Sequence, residues 1–241
     1  SILIKDELIL NDIKSKINIL PPLIDKINYD NNNKINLSFC YCGTLKQSYF
    51  SLEILTLFYK LSEVYNFTFN LIYSKIHLED NNEYISKLNL LINNLKKHKN
   101  FYIYNDVGKD IMNEILLQSQ FGIVSHTKDT DFKQQSTKLI EYLSFNCIPI
   151  YYLTYLNCGY INNNLSFSSI IELKDILNKI LTNNINYSDI KINYNKLKSH
   201  LISDNIKNLE FENISYITKN IVKNSNKIII TNSYENMFLN K

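Results

Sequence analysis

The chain has 241 residues, 45% hydrophobic and 20% charged, with a formal net charge of +3. That apolar content excludes a disordered chain, and the length suits one large domain or one and a half. The charge is near balance and is carried by 26 Lys and no Arg, so the planar fork that most often reads guanine is missing and a sequence-specific nucleic-acid binder is not expected.

In chain order, residues 1–30 hold a short helical pattern and then Ile19-Leu20-Pro21-Pro22-Leu23-Ile24-Asp25. Two prolines stop a helix and stiffen an extended segment, which predicts an interdomain connector. Residues 35–42 form an apolar strand ended by Gly43-Thr44, and residues 50–65 carry Leu52, Leu55, Phe58 and Leu61 at helical spacing. A second strand is predicted at 67–73, a helix at 82–98, a third strand at 101–104 and a helix at about 109–118. A fourth strand (121–124), a polar loop (125–135), a helix (137–145), a fifth strand (148–153), a short sixth strand (165–167) and a helix (169–182) follow. Residues 183–241 are Asn-rich, with helical patterns at about 190–202 and 207–223 and a β-rich patch at Ile228-Ile229-Ile230.

This alternation predicts an α/β, Rossmann-like domain over 31–182: a parallel sheet of about six strands with helices on both faces, plus a C-terminal helical extension over 183–241. The strands are continuous apolar runs, as when both faces are covered. Ligands of such sheets sit at the carboxyl ends of the strands, near the switch in strand order. No run of 18 apolar residues predicts a transmembrane segment, and Ser1 to Glu7 lack the layout of a signal peptide. The cysteines, Cys40, Cys42, Cys147 and Cys158, show no CxxC spacing, which argues against a zinc site or disulfide framework and for a reducing, cytoplasmic compartment. The run Lys96-Lys97-His98-Lys99 reads as a helix C-terminus complementing the dipole, with a peripheral contact to anionic lipid as the second option.

The most informative segment runs from Gln135 to Ile150. Ser136 suits an N-cap, and the helix after it begins with free amides at the carboxyl edge of the sheet, a phosphate cradle. Lys138 adds a cation to the first turn, and Glu141, three residues on, is placed to accept hydrogen bonds from a ribose diol; a capped helix with a solvent-facing Lys–Glu pair is the other reading.

These segments resemble the C-terminal half of a GT-B glycosyltransferase of the retaining GT4, or group 1, type. The resemblance is carried by Leu20 to Asp25, Phe39-Cys40-Tyr41-Cys42-Gly43-Thr44-Leu45, Gln120 to Val124, Ser136 to Leu143 and Cys147 to Ile150, over residues 15–182. It implies that a nucleotide-diphosphate sugar is the donor substrate, with no cofactor and no metal. Glu141 would hold the ribose, and Lys46, Ser136, Thr137 and Lys138 the diphosphate. Asn105, Asp106 and Val107 would meet the base, and the 125–135 loop, with His126, Lys133, Gln134 and Gln135, the sugar. Lys133 stands where many members carry a second glutamate. An N-terminal Rossmann-like domain is expected upstream, so the chain alone is expected to bind donor weakly and transfer poorly to its glycan, lipid or protein acceptor. The competing readings are an inactive scaffold or partner-binding module and a GT-B-like sugar-nucleotide epimerase.

Of the other histidines, His77 and His98 are expected to be solvated near helix ends, and His200 has no recognisable partner. The four glycines, Gly43, Gly108, Gly122 and Gly159, are expected to mark positions whose backbone requires glycine.

Overall fold

The computed structural model describes residues 23–29, 33–77, 81–125, 137–152, 159–161, 165–185 and 190–202. The helical pattern before Ile19, the two prolines Pro21 and Pro22, the helical pattern at 207–223 and the patch at Ile228 to Ile230 lie outside these residues.

Six strands form one sheet in the order β3-β2-β1-β4-β5-β6: β1 (Ser38–Cys42), β2 (Thr68–Tyr73), β3 (Phe101–Asn105), β4 (Phe121–Val124), β5 (Ile148–Tyr152) and β6 (Ser166–Phe167). Every pairing is parallel. The fold is therefore α/β and Rossmann-like, as the alternation predicts. The helices are α1 (Ser51–Ser62), α2 (Asn82–Leu95), α3 (Lys109–Gln118), α4 (Thr137–Ser144), α5 (Ile170–Leu181) and the short α6 (Tyr194–Lys198).

The period-2 alternation of a strand sorts the core into two layers. Phe39 and Tyr41 of β1 face α1, α2 and α5, where they join Leu55, Phe58, Leu88 and Leu177. Cys40 and Cys42 face the other way, toward Leu116 of α3, Ile140 and Leu143 of α4 and Leu197 of α6. The first layer is aromatic: Phe39 stacks on Phe121 at 5.2 Å between centroids, and Phe58 lies 4.3 Å from Phe69. Such pairs add to the burial that holds strand to helix.

Local chemistry sets the element ends. Asn81 accepts from the Glu83 amide to start α2; Ser169 accepts from the Glu172 amide to start α5, while Glu172 reaches back to the Ser168 amide. That reciprocal pattern satisfies two otherwise orphaned amides. Pro149 is tolerated inside the sheet because of where it falls. Ile148 donates to the Gln120 carbonyl of the β4 side and Tyr151 to Leu165 of the β6 side, so the missing Pro149 amide points past the start of β6.

Two boundaries differ from the sequence expectation. β1 begins at Ser38 rather than Ile35, because Leu37 takes a left-handed φ of 51° and the Ser38 hydroxyl donates back to the Ile35 carbonyl. In 190–202 the helix shrinks to α6, since Ile192 bridges to Ile161 and Leu201 to Ile24. Here the apolar spacing serves bridges on both sides of one turn of helix. Residues 190–202 thereby belong to the same compact unit as the sheet, and the connector residues 23–29 lie against them. Asn28 donates to the Ser144 carbonyl at the end of α4, Tyr29 packs on Tyr194, and Asp25 pairs with Lys109.

The expectations for His77, His98 and His200 are all corrected. His98 is half-buried, edge-on to Phe101 at 5.0 Å with Nε2 3.4 Å from the Ser62 hydroxyl, because the chain turns back there into β3. His200 does have a partner: it is buried, with Nε2 2.8 Å from the Tyr160 hydroxyl. His77 is half-buried in the loop after β2, its amide bonded to the Leu45 carbonyl.

Candidate functional site

The strand order reverses between β1 and β4, and their carboxyl ends bound the crevice at which open α/β sheets bind ligands. Cys42 and Gly43 form one lip, Val124 and Ser125 the other. Gly43 has φ +155° and donates to the Ile72 carbonyl, and the space a side chain would occupy there is open. Beyond it Leu45 pairs with Ile76, fastening the loop after β1 to the loop after β2. Lys46 follows, its ammonium 5.8 Å from the Tyr49 ring centroid.

Beneath that loop lies the Tyr41 hydroxyl. It donates to the Thr44 carbonyl at 3.1 Å, accepts from Ser125 at 3.3 Å and lies 3.5 Å from the Ser51 hydroxyl. The Ser51 hydroxyl accepts from the Lys46 amide at 2.9 Å. Burial pushes the Tyr41 hydroxyl above its ordinary pKa, which keeps it neutral and able to donate.

From the opposite layer, α4 brings in its side chains through Tyr142, which is fully buried. Its ring lies flat on Gly122 of β4: a Cβ at that glycine would meet the ring at 2.4 Å. The Tyr142 hydroxyl accepts from the Cys42 amide at 2.9 Å and donates to the Ile123 carbonyl at 3.3 Å, at the last rung of the β1–β4 ladder. One turn back, Lys138 pairs with Glu141 at 2.6 Å and lies 3.6 Å from the Cys42 sulfur. The pair is half-buried and folded over the end of β1, not turned out to solvent. Burial works against the Lys138 charge, but Cys42 and Glu141 outweigh it and hold its pKa above that of ordinary lysine. The Cys42 thiol is pushed up to about 11 by burial, so at neutral pH Glu141 supplies the opposing charge.

The structure thus brings Lys138 and Glu141 together at the β1 end, with Thr137 exposed at the start of α4. Lys46 stands on the loop after β1. Asn105 and Asp106 are exposed at the carboxyl end of β3, two strands from β1. Asp106 takes φ 53° and donates to the Tyr73 carbonyl, and Val107 packs toward the α3–α4 layer. The helix that follows returns to the crevice, since Met112 of α3 lies 3.4 Å from Cys42 by their sulfurs. His126, Lys133, Gln134, Gln135 and Ser136 lie outside the described residues. Among the described residues no group of three or more His, Cys, Asp or Glu is placed to hold a metal ion, and no helix is long and apolar enough to cross a membrane.

Sequence reasoning included Ser125 as the start of the 125–135 loop but missed Tyr41 and Tyr142. A strand glycine marks a close approach of something to the backbone, and the one tyrosine in the 137–144 helix was the available clue to what approaches Gly122. Gly159, with φ +74°, fits the expectation for glycine, whereas Gly108 does not: its φ is −65° and the space around it is open, so other residues fit there.

No family model and no curated protein matches the sequence. The fold does match solved structures. One is the C-terminal domain of a glycosyl transferase group 1 family protein from Francisella tularensis: TM-score 0.50, 9% identity, 68% of this chain and 88% of that one. A glycosyltransferase from Rickettsia africae matches with TM-score 0.53, 17% identity, 93% of this chain and 63% of that one. A trehalose-6-phosphate protein from E. coli bound with UDP-2-fluoro glucose matches with TM-score 0.50, 14% identity, 87% of this chain and 49% of that one. The chain has the fold of a GT-B glycosyltransferase C-terminal domain. It spans nearly all of the isolated domain, but about half and under two thirds of the two longer proteins.

Proposed function

We propose that the chain is the donor-binding half of a GT-B glycosyltransferase of the group 1 type, taking a nucleotide-diphosphate sugar at the carboxyl ends of β1 and β4. The observation that carries this reading is the Lys138–Glu141 pair, held 2.6 Å apart over the end of β1 in the first turns of α4. A cation and a carboxylate side by side at a helix start match the two polar ends of a nucleoside diphosphate: Glu141 accepts from the ribose diol, and Lys138 turns to the phosphates. Ser136, Thr137 and the α4 amides add donors to the same phosphates, with Lys46 approaching across Gly43. Asn105, Asp106 and Val107 meet the base, and His126, Lys133, Gln134 and Gln135 the sugar.

The chemistry follows from charge. As the bond from the anomeric carbon to the diphosphate breaks, negative charge grows on the leaving group, and fixed amides with two lysines stabilise it without reorganising. Retention of configuration, a metal-independent step and an acceptor held by an upstream Rossmann-like domain belong to this proposal. The E. coli protein bound with UDP-2-fluoro glucose, about half of whose length this chain spans, supports the donor assignment.

Thermal denaturation with UDP, GDP, ADP and their sugars tests it. At a hundredfold excess over Kd the matching nucleotide stabilises by about 2.7 kcal/mol, a rise of roughly 5–10 °C. No shift with any of them contradicts the proposal.

A further inference from the structure

The Tyr41 hydroxyl lies among three segments: Thr44 in the loop after β1, Ser51 at the start of α1, and Ser125 where β4 ends. We propose that Tyr41 is a positioning residue that makes the phosphate-facing loop after β1 and the sugar-facing end of β4 one preorganised unit. This rests on the donor site proposed above and names a residue that acts on it from beneath.

The geometry supports a positioning role over plain packing. The Tyr41 ring is buried in the α1–α5 layer, where phenylalanine would fill the same space. What only tyrosine supplies is the hydroxyl. It has one proton, given to the Thr44 carbonyl, and its oxygen receives the Ser125 proton; the Ser51 hydroxyl beside it accepts the Lys46 amide. The bonds run Ser125 to Tyr41 to Thr44, so this oxygen ties the outer ends of the two lips together, beyond the point where Tyr142 and the last strand rung join Cys42 and Ile123. Gly43, without a side chain and with open space above it, ties its part of the loop to β2 through its amide on the Ile72 carbonyl. Removing the oxygen frees the Thr44 loop from Ser125, while the lips stay joined lower down by the strand ladder and the Tyr142 hydroxyl. A ligand group bridging the two lips then bears the cost of ordering them, whereas the base and ribose contacts, made at β3 and at Glu141, do not.

The test is Tyr41→Phe in the full chain, read in two ways. Dissociation constants are compared for a nucleoside, its diphosphate and its diphosphate sugar. Nucleoside affinity is expected to stay within about twofold, while diphosphate and sugar nucleotide weaken by about five- to tenfold, the value of one neutral hydrogen bond. Hydrogen exchange without ligand is expected to speed up together at Leu45–Lys46 and at Val124–Ser125. Equal losses for all three ligands, or no loss for any, overturn the proposal, as does faster exchange on one lip alone. A parent chain that binds no nucleotide contradicts the donor site instead, and the exchange arm still decides whether Tyr41 couples the lips.

Discussion

Gly122→Ala lowers stability by about 3 kcal/mol, a fall in melting temperature of roughly 6–12 °C for a domain of this size. The methyl would sit 2.4 Å from one ring carbon of Tyr142 and 2.6 and 2.7 Å from two others, far inside contact distance. Neither side can yield cheaply. Gly122 is paired on both flanks, to Cys40 of β1 and Pro149 of β5, and Tyr142 is anchored by its hydroxyl to Cys42 and Ile123. Gly108→Ala is the control, with open space around the new methyl and an ordinary φ of −65°, and is expected to leave the melting temperature unchanged or slightly raised. A double-mutant cycle with Tyr142→Leu checks the mechanism: the cost of Gly122→Ala falls by at least half once the ring is gone. An equal cost in both backgrounds would mean the ring is not the obstacle.

Lys34→Met has the second large effect. The Lys34 ammonium donates to three carbonyls at once: Leu116 at 2.9 Å, Ser119 at 2.7 Å and Phe145 at 2.8 Å. Those carbonyls are the unsatisfied ends of α3 and α4, where the helix dipoles favour a cation. Methionine fills similar space but leaves them without that donor, at a cost of about 3 kcal/mol. Burial pushes the Lys34 pKa below that of ordinary lysine, though the neighbouring Cys147 and Cys40 oppose the shift. The sign follows. Between the depressed folded value and the ordinary one, the unfolded chain binds more protons, so this group makes stability rise with pH in that window, and Lys34→Met removes the slope. Chemical denaturation at several pH values reads both the loss and the slope; a variant as stable as the parent would remove Lys34 from the account.

What was legible in the sequence follows from how local each signal is. The strands at Phe39 to Cys42 and Phe121 to Val124 are short apolar runs between turn residues, and the Lys138–Glu141 pair sits three residues apart on one helix; each can be seen within a window of a dozen residues. Lys34 could not be seen that way. In a run of asparagines it looks like a solvated loop residue, and its three partners come from 82 to 111 residues further on. The same holds for His200 with Tyr160 and for the Tyr41 hydroxyl with Ser125, both pairs made by tertiary packing alone. The shortened helix at 194–198 shows the converse: apolar spacing that suits a helix was used for bridges, because Ile192 and Leu201 had strand-like neighbours from elsewhere in the chain.

The central claim is that Glu141 and Lys138 hold a nucleoside diphosphate at the end of β1, and calorimetric titration of Glu141→Gln with the nucleotide that shifts the parent most tests it directly. Glutamine keeps the shape but replaces charged acceptors for the ribose diol with a neutral one. Affinity is expected to fall roughly 10- to 100-fold, with the melting temperature of the unliganded chain lowered by a few degrees at most, roughly the worth of one half-buried ion pair. An affinity equal to the parent's would contradict the claim.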